Sequence, residues 1–361
     1  MKKAGILTFH NAINYGAVLQ AYALRKTIHT KGIHCDIINY YCPAIEGTYK
    51  YIYTNSIKKI LSSIINAYFL YKRKKKFNKF KDYELTLTKK VDKKNIESLN
   101  DDYQYFIVGS DQVWNYKLTN KDNTFFLDFV SAKNVKASYA ASIALSSIPV
   151  DVGNTYSDKL KTYKYISVRE KTGENILKKY GVNDINIDVD PVFLLSKNEW
   201  RESLKGINKI NKDYIFVYIP SNAALNYACN LSDKLGIPVY FVTNGFFLQH
   251  VKYYSKCKLF LYPSPFEFLS LLVNAKYVVT SSFHATAFSL IFHKQFYVDA
   301  IKENATRIID LLEDVSLDCR IIGNEESDIT EEQWKIVDNI LNSKIVESLQ
   351  RLSGVFGEEF I

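Results

Sequence analysis

Residues 4–39 read AGILTFHNAINYGAVLQAYALRKTIHTKGIHCDIIN, and the order of apolar and polar segments in them predicts the fold class. Ala4–Phe9 is a short apolar run that predicts a strand, and a polar loop over His10–Gly16 follows it. Apolar residues then recur at helical spacing, and Gly32 ends the predicted helix. A second strand pattern follows at Cys35–Asn39. Strand, helix and strand in this order predict a parallel sheet covered by helices.

The same alternation resumes beyond residue 96 and runs to residue 298. The predicted strands include Tyr105–Val108, Tyr214–Ile219 and Tyr277–Thr280, and a loop or helix pattern follows each of them. A chain of 361 residues is longer than a single hydrophobic core usually accommodates. We therefore predict an α/β protein with two Rossmann-like, doubly wound domains facing a cleft.

The predicted domain boundaries follow from where this alternation is interrupted. The first domain is predicted at 1–200 with a basic helical insertion at 44–96, the second at 201–330, and a final helix at 331–361. That last helix has no strand to pair with, and its pattern is compatible with crossing back to the first domain.

The net charge of +9 is concentrated in one segment. Residues 50–96 carry 14 Lys/Arg and three Asp/Glu, whereas the remaining chain carries 33 and 35. This distribution argues against a distributed basic face for nucleic acid. The helical stretch at 58–81 contains the peak, Lys72–Lys76. Two interpretations stay open: a solvated helix face, or an arm that docks on an anionic membrane or on a charged acceptor.

Five scattered cysteines without a CxxC pair argue against a zinc ribbon or a redox pair and suggest free thiols in a reducing cytoplasm.

Neither a signal peptide nor an apolar run of about 20 residues is visible. We therefore expect a cytoplasmic protein, peripheral at the inner membrane face if the basic arm docks there. Asp188 and Asp190 are weak as a ligand pair, so we expect neither a metal nor a cofactor.

Polar residues follow the predicted strand Tyr277–Thr280. Residues 280–286 read TSSFHAT, in which hydroxyl side chains and a histidine open a helix. N–H groups at a helix start bind anions, and histidine can move a proton near pH 7. N-capping serines beside a packed histidine are the other interpretation. Asn304 and Arg307 lie at the start of a further predicted helix. The helix dipole opposes a positive charge there, so Arg307 indicates either a bound anion that compensates it or an ordinary surface arginine.

In the first half, residues 108–115 read VGSDQVWN after a buried strand. A carboxylate, an amide and an indole in one loop suit a sugar, although an Asx-turn with a packed Trp would look the same. The opening loop lacks GxGxxG, so NAD is not indicated, and Gly16 is expected in a tight turn that admits a ligand.

Six motifs now occur in order. They are NYGAVLQAYAL (14–24), GSDQVWN (109–115), SVRE (167–170), DPVFLL (190–195), PFEFL (265–269) and SSFHATAFSLIF (281–292). Together they resemble the polysaccharide pyruvyl transferase family over roughly residues 4–312. The resemblance implies a glycosyltransferase-B-like fold. It also implies transfer of pyruvate from phosphoenolpyruvate, as co-substrate, onto two sugar hydroxyls of a surface glycan or its lipid-linked precursor, which gives a cyclic ketal.

The resemblance also implies residue roles. His284 matches the family histidine and is our candidate for donor contact and proton transfer, and Arg169 matches the arginine that holds the donor. Many members carry SRLHG, where this chain has Ser282 and Ala285, so we predict that Arg307 supplies the missing charge. The full donor set is Arg169, Ser281, Ser282, His284, Thr286, Asn304 and Arg307. The acceptor set is His10, Asn14, Tyr15, Gly16, Ser110, Asp111, Gln112 and Trp114, with Asp111 as hydroxyl base.

Two alternatives stay open. A nucleotide-sugar glycosyltransferase of the same fold would need an apolar slot for the base and a carboxylate for the ribose, which Glu267 could supply. A catalytically silent glycan-binding relative is favoured by the departure at Ser282.

Overall fold

A computed structural model describes residues 2–47, 57–243, 250–300, 306–324 and 327–357, with the backbone alone at 57–65 and 251. The strands are β1 (Lys3–Leu7), β2 (His34–Ile37), β3 (Tyr105–Val108), β4 (Val135–Ser138), β5 (Ile166–Val168), β6 (Ile185–Ile187), β7 (Ile215–Tyr218), β8 (Val239–Val242), β9 (Cys257–Phe260), β10 (Tyr277–Thr280) and β11 (Gln295–Val298).

Helices alternate with these strands. They are α1 (Tyr15–Thr30), α2 (Pro43–Glu46), α3 (Ile57–Glu84), α4 (Tyr116–Thr119), α5 (Val150–Leu160), α6 (Lys171–Lys179), α7 (Lys197–Ser203), α8 (Asn222–Leu235), α9 (Val251–Tyr254), α10 (Pro265–Val273), α11 (Phe283–Ile291), α12 (Thr306–Asp314) and α13 (Glu331–Phe356).

The first sheet has the order β2-β1-β3-β4, and every pair in it is parallel. The parallel pair β5-β6 extends this sheet through bridges such as Ala141 to Val168. The chain adds β2 on one side of β1 and β3 on the other, so the strand order reverses between β1 and β3. Open α/β sheets bind ligands beyond the carboxyl ends of the strands at such a reversal.

The second sheet has the order β11-β10-β7-β8-β9 and is also parallel throughout. Its strands β7, β8 and β9 proceed in one direction, and β10 and β11 are added on the other side of β7. The reversal therefore lies between β7 and β10. The core on one face of this sheet includes Ile215, Val217, Leu225 and Phe241, all at most 1% exposed.

The contacts divide the chain into two compact units. The first comprises 1–48, 81–195 and 341–361, and the second comprises 49–80 and 196–340. Residues 49–80 thus group with the second unit, whereas the sequence pattern places the whole insertion in the first domain. The final helix contributes its residues up to 340 to the second unit and the rest to the first.

Capping explains where α1 begins and ends. The Asn14 side chain accepts hydrogen bonds from the backbone N–H groups of Gly16 and Ala17, at 2.9 and 3.3 Å. Gly32 adopts φ +87 just after the helix, which is the left-handed geometry that suits glycine. The predicted strand, helix and strand at the start of the chain are confirmed. Gly16 lies in the first helical turn rather than in the tight turn expected for it.

The helix predicted in the basic insertion is present as α3. Within the described ranges, no helix combines the length and the apolar character that a membrane crossing requires.

Candidate functional site

In the first unit, the reversal point brings two loops together. The loop after β1 contains Thr8, and the loop after β3 contains Ser110 and Asp111. The Thr8 hydroxyl donates a hydrogen bond to the Ser110 carbonyl oxygen at 3.0 Å, and the Ser110 hydroxyl donates to Asp190 Oδ2 at 3.0 Å. These bonds hold the 109–115 loop against the edge of the sheet where a ligand is expected.

Arg169 lies at the end of β5 and is fixed by this same network. Its Nη1 lies 2.5 Å from Asp190 Oδ2 and 3.4 Å from the Ser110 hydroxyl, and its Nε lies 3.8 Å from Glu170 Oε2. Burial by itself would lower the pKa of the Arg169 guanidinium, but the carboxylates of Asp190, Glu170 and Asp111 raise this pKa above its ordinary value. Arg169 therefore carries a permanent charge that Asp190 largely balances before any ligand arrives.

Asp111 has an unusual backbone. Its φ is +74, in the left-handed region, and its side chain is buried at the carboxyl end of β3. Ala140 and Ala144, in the loop after β4, are also left-handed, at φ +48 and +51. Glu170 Oε1 fixes that loop by accepting hydrogen bonds from the Ile143 and Ala144 N–H groups, at 3.0 and 3.1 Å. Strained, non-glycine positions of this kind concentrate at functional sites.

Several residues of the predicted acceptor set are buried by their neighbours. The Trp114 indole is fully buried, donates to the Phe125 carbonyl oxygen at 3.0 Å and stacks on Phe126. It has no exposed face on which a sugar could stack, so the packed-Trp interpretation is the better one. Tyr15 is likewise only 1% exposed.

His10, Asn14 and Gln112 also have structural partners. The His10 ring nitrogens lie 3.2 Å from the Thr8 carbonyl oxygen and 3.2 Å from Asn39 Oδ1. Burial lowers the pKa of His10 to about 4, so the ring is neutral near pH 7. Asn14 caps α1, and Gln112 Oε1 accepts a hydrogen bond from the Asn115 side chain. Ser110 and Asp111 are the members of the acceptor set that have polar side chains and lie at the end of β3, where the backbone of Asp111 is strained.

In the second unit, the reversal point lies between β7 and β10. The Thr280 hydroxyl donates to the Tyr218 carbonyl oxygen at 2.7 Å, which joins the ends of these strands. The Ser282 N–H donates to Thr280 Oγ1 at 3.1 Å, and Ser282 is the N-cap of α11. The Ser281 hydroxyl is buried and has no hydrogen-bond partner among the described residues. The loop therefore presents hydroxyl and N–H donors at a helix start, as an anion site requires.

His284 lies in the first turn of α11 and is 8% exposed. Its ring stands perpendicular to Phe283, with 5.3 Å between the ring centroids. The Arg307 guanidinium carbon lies 5.9 Å from the centroid of the same Phe283 ring. Thr286, by contrast, is fully buried and donates to the Ser282 carbonyl oxygen at 3.0 Å. The structure thus brings His284 and Arg307 to one aromatic ring, and Thr286 stabilises the helix start. Asn304 lies outside the described residues.

The sequence reasoning missed two residues beside this loop. Asp299 directly follows β11, is 3% exposed, and its N–H donates to the Thr280 carbonyl oxygen at 3.0 Å. Ile219 directly follows β7 with φ +46, an outlier for a β-branched residue, and its side chain is partly exposed. The sequence could have indicated Asp299, because an acidic residue directly after an apolar strand lies at the edge of a parallel sheet where ligands bind.

Asp188 and Asp190 are engaged by arginines rather than placed as a ligand pair. Arg351 Nε lies 2.9 Å from Asp188 Oδ1, and Asp190 binds Arg169. In the described ranges, no group of three His, Cys, Asp or Glu side chains is placed to hold a metal ion.

A sequence model of the family described as polysaccharide pyruvyl transferase matches residues 14–298. The chain belongs to the polysaccharide pyruvyl transferase family. The resemblance seen in the six motifs is therefore confirmed. No curated protein is similar enough in sequence to count as a relative.

Solved structures similar to this family member include UDP-N-acetylglucosamine 2-epimerase from Methanocaldococcus jannaschii. The identity is 13%, the match covers 95% of this chain and 93% of the other, and the TM-score is 0.50. The Neisseria meningitidis epimerase bound to UDP-N-acetylglucosamine is 11% identical, with 97% of this chain and 100% of the other covered and a TM-score of 0.46. E. coli heptosyltransferase WaaC with ADP is 10% identical, with 87% of this chain and 98% of the other covered and a TM-score of 0.42. At such identities the likeness concerns the fold alone. The predicted glycosyltransferase-B-like class, with two Rossmann-like domains, is confirmed.

Proposed function

We propose that this protein transfers pyruvate from phosphoenolpyruvate onto two hydroxyls of a sugar in a bacterial surface glycan or its lipid-linked precursor. The observation that carries the proposal is the grouping of His284, Arg307 and the hydroxyl groups of Ser281 and Ser282 at the reversal point of the second sheet. A phosphate and a carboxylate are the two anions of this donor, and both suit N–H, hydroxyl and guanidinium partners.

The reaction sets the roles of these groups. The first sugar hydroxyl gives up its proton and its oxygen bonds to C2 of the enol while C3 gains a proton, and the C2–O bond to phosphate then breaks. The second hydroxyl bonds to C2, and its proton leaves with the phosphate. His284 is the residue that delivers the proton to C3, because an imidazole can give and take a proton near pH 7. Arg307 and the α11 N–H groups stabilise the leaving phosphate.

The first unit contributes the acceptor side of this proposal. Asp111 is the group that takes a proton from a sugar hydroxyl, and Ser110 orients the loop that carries it. Arg169, as a member of the donor set, remains a prediction. Its pairing with Asp190 gives it a second role, which is to hold Ser110 and Asp111 at the strand end.

One observation favours the nucleotide-sugar alternative. A cavity of about 540 Å³ in the second unit is lined mainly by apolar side chains, together with Tyr262 and Glu267. However, Glu267 Oε2 already accepts hydrogen bonds from the Ser264 N–H at 2.7 Å and from Lys76 at 2.6 Å. Glu267 also belongs to the capping box at the start of α10, so this carboxylate already has a structural role, which makes the nucleotide sugar the weaker candidate.

The decisive experiment measures thermal stabilisation by phosphoenolpyruvate, inorganic phosphate and a panel of nucleotide sugars. A ligand at about 100 times its Kd adds about 2.7 kcal/mol to stability. We expect stabilisation by phosphoenolpyruvate in the wild type and in the control His29→Ala, which changes an exposed histidine, and a weaker effect in His284→Ala.

Phosphate release with added glycan acceptor then separates an enzyme from a silent relative. Stabilisation by a nucleotide sugar alone would overturn the proposal in favour of the glycosyltransferase. Acceptor binding without phosphate release would leave a glycan-binding protein.

A further inference from the structure

The basic helix α3 has an inward face that is used in packing. Arg73 is 3% exposed, and its Nη2 donates to the carbonyl oxygens of Thr243 and Leu261, at 2.6 and 3.1 Å. Lys76 Nζ lies 2.6 Å from Glu267 Oε2. Both charged groups therefore bind the ends of β8 and β9 and the start of α10. The basic cluster is accordingly not one surface, because Arg73 is buried and Lys76, which stays partly exposed, is paired with Glu267.

Aromatic contacts complete this packing. Phe69 stacks on Tyr262 with ring centroids 6.3 Å apart, and Phe80 meets Phe266 edge-on at 4.9 Å. Phe77 is 2% exposed. These side chains fix the rotation of α3, and the rotation decides which residues face solvent.

The opposite face of α3 combines lysine and tyrosine. Tyr68, Lys72, Lys75 and Lys79 follow one another at spacings of four, three and four residues, which places them along one side of a helix. Tyr68 and Tyr71 are 54% and 56% exposed, and the chains of Lys75 and Lys79 are exposed. The Lys72 ammonium lies 5.4 Å from the Tyr68 ring centroid. We call these five residues the lysine–tyrosine face.

We propose that the lysine–tyrosine face binds an anionic phospholipid surface. Lysine ammoniums are attracted to anionic headgroups, and tyrosine rings settle at the boundary between headgroup and hydrocarbon because they are apolar with a polar tip. A soluble polyanion would explain the lysines but not two adjacent exposed tyrosines. The inference does not depend on the proposed function, since it concerns only where the protein binds.

The experiment measures co-flotation of the full chain with vesicles. We expect binding to vesicles of equal parts phosphatidylglycerol and phosphatidylcholine, no binding to phosphatidylcholine alone, and loss of binding as salt rises. Since each lysine near an anionic surface contributes roughly a five-fold factor, Lys72→Gln with Lys75→Gln should weaken binding by about 25-fold. Tyr68→Ala with Tyr71→Ala should weaken binding while leaving its salt dependence in place.

The matched control is Lys89→Gln with Lys94→Gln, which removes the same charge from two exposed lysines outside α3. The control should float like the wild type. Equal losses in both lysine variants would show a net-charge effect and overturn the assignment of the face. Full binding by the tyrosine variant, with complete displacement by soluble polyphosphate, would show a general polyanion surface and overturn the lipid assignment.

Discussion

The Asp299 N–H donates to the Thr280 carbonyl oxygen at 3.0 Å, so a buried carboxylate lies beside the residue that begins the TSSFHAT loop. Strands β10 and β11 run parallel in a register that pairs Thr280 with Val298, and both end at this point. Asp299 is thus positioned by the sheet itself rather than by a flexible loop.

The first prediction concerns this carboxylate. Asp299→Asn keeps the size of the side chain and removes its charge, so the sheet should be retained while the electrostatics of the loop change. Because this carboxylate lies beside the loop that carries His284, its charge acts on the groups that handle the proton and the phosphate, and we expect phosphate release to fall by about 10-fold, which corresponds to about 1.4 kcal/mol. The measurement is kcat with phosphoenolpyruvate and glycan acceptor. Asp233→Asn, an exposed helical position, is the control, and full activity of Asp299→Asn would exclude a catalytic role.

The buried pair of Arg169 and Asp190 gives the second prediction. Asp190→Ala leaves a buried guanidinium without its closest carboxylate, and breaking such a pair costs about 3–5 kcal/mol. The double variant Arg169→Met with Asp190→Leu removes both charges and should recover part of that loss. The free energy of unfolding in urea measures both effects. A double variant less stable than Asp190→Ala would contradict this account.

His10 provides a prediction about pH. Its pKa is lowered by burial to about 4 in the folded protein, whereas an unfolded histidine titrates near 6.5. The unfolded chain binds the proton more readily, so the contribution of His10 to stability is complete above pH 6.5 and is lost as the pH falls toward 4. At pH 5 the loss relative to pH 7 should be about 2 kcal/mol.

The variant His10→Gln isolates this effect. It should be less stable than the wild type at pH 7, but its free energy of unfolding should fall less between pH 7 and pH 5. Equal falls in the two proteins would show that other groups cause the pH dependence.

Arg73 supplies a fourth prediction, on the packing of α3. Arg73→Gln removes the Arg73 hydrogen bonds from the buried Thr243 carbonyl oxygen and the half-buried Leu261 carbonyl oxygen, and a buried polar group that loses its bond costs about 1–3 kcal/mol. We expect a loss of about 2–4 kcal/mol in unfolding free energy. Lys75→Gln, two residues along on the exposed side, should change it by less than about 0.5 kcal/mol. Similar losses in both variants would contradict the two-faced description of α3.

The pattern of apolar residues predicted the strands closely, since Tyr105–Val108 and Tyr277–Thr280 occur with the predicted bounds. The spacing of apolar residues indicates which positions are buried against a sheet, and these strands are buried in that way. It does not report which side chains pair across the fold. The bond between Arg169 and Asp190 joins residues from different loops, and no local spacing encodes it.

The same limit explains Trp114. An indole in a polar loop has the composition of a sugar site, and only its packing on Phe126 shows that it belongs to the core. Arg73 is the opposite case, because helical spacing alone separates it from Tyr68 and Lys75, and its inward position could have been derived from the sequence.

The last prediction tests whether Arg307 replaces the arginine found in many family members at the position of Ser282. The Arg307 guanidinium carbon lies 5.9 Å from the Phe283 ring centroid, and a lost charge-assisted hydrogen bond to a bound donor costs about 1.5–3 kcal/mol. Arg307→Gln should therefore raise the Kd for phosphoenolpyruvate by about 10- to 150-fold. Adding Ser282→Arg to this variant should restore much of the affinity, despite a loss of about 1 kcal/mol in stability from the missing N-cap. Titration calorimetry on the single and double variants measures both effects. If Arg307→Gln binds like the wild type and Ser282→Arg alone tightens binding, the missing charge is supplied by neither residue in the native chain, and the donor site works with N–H and hydroxyl donors alone.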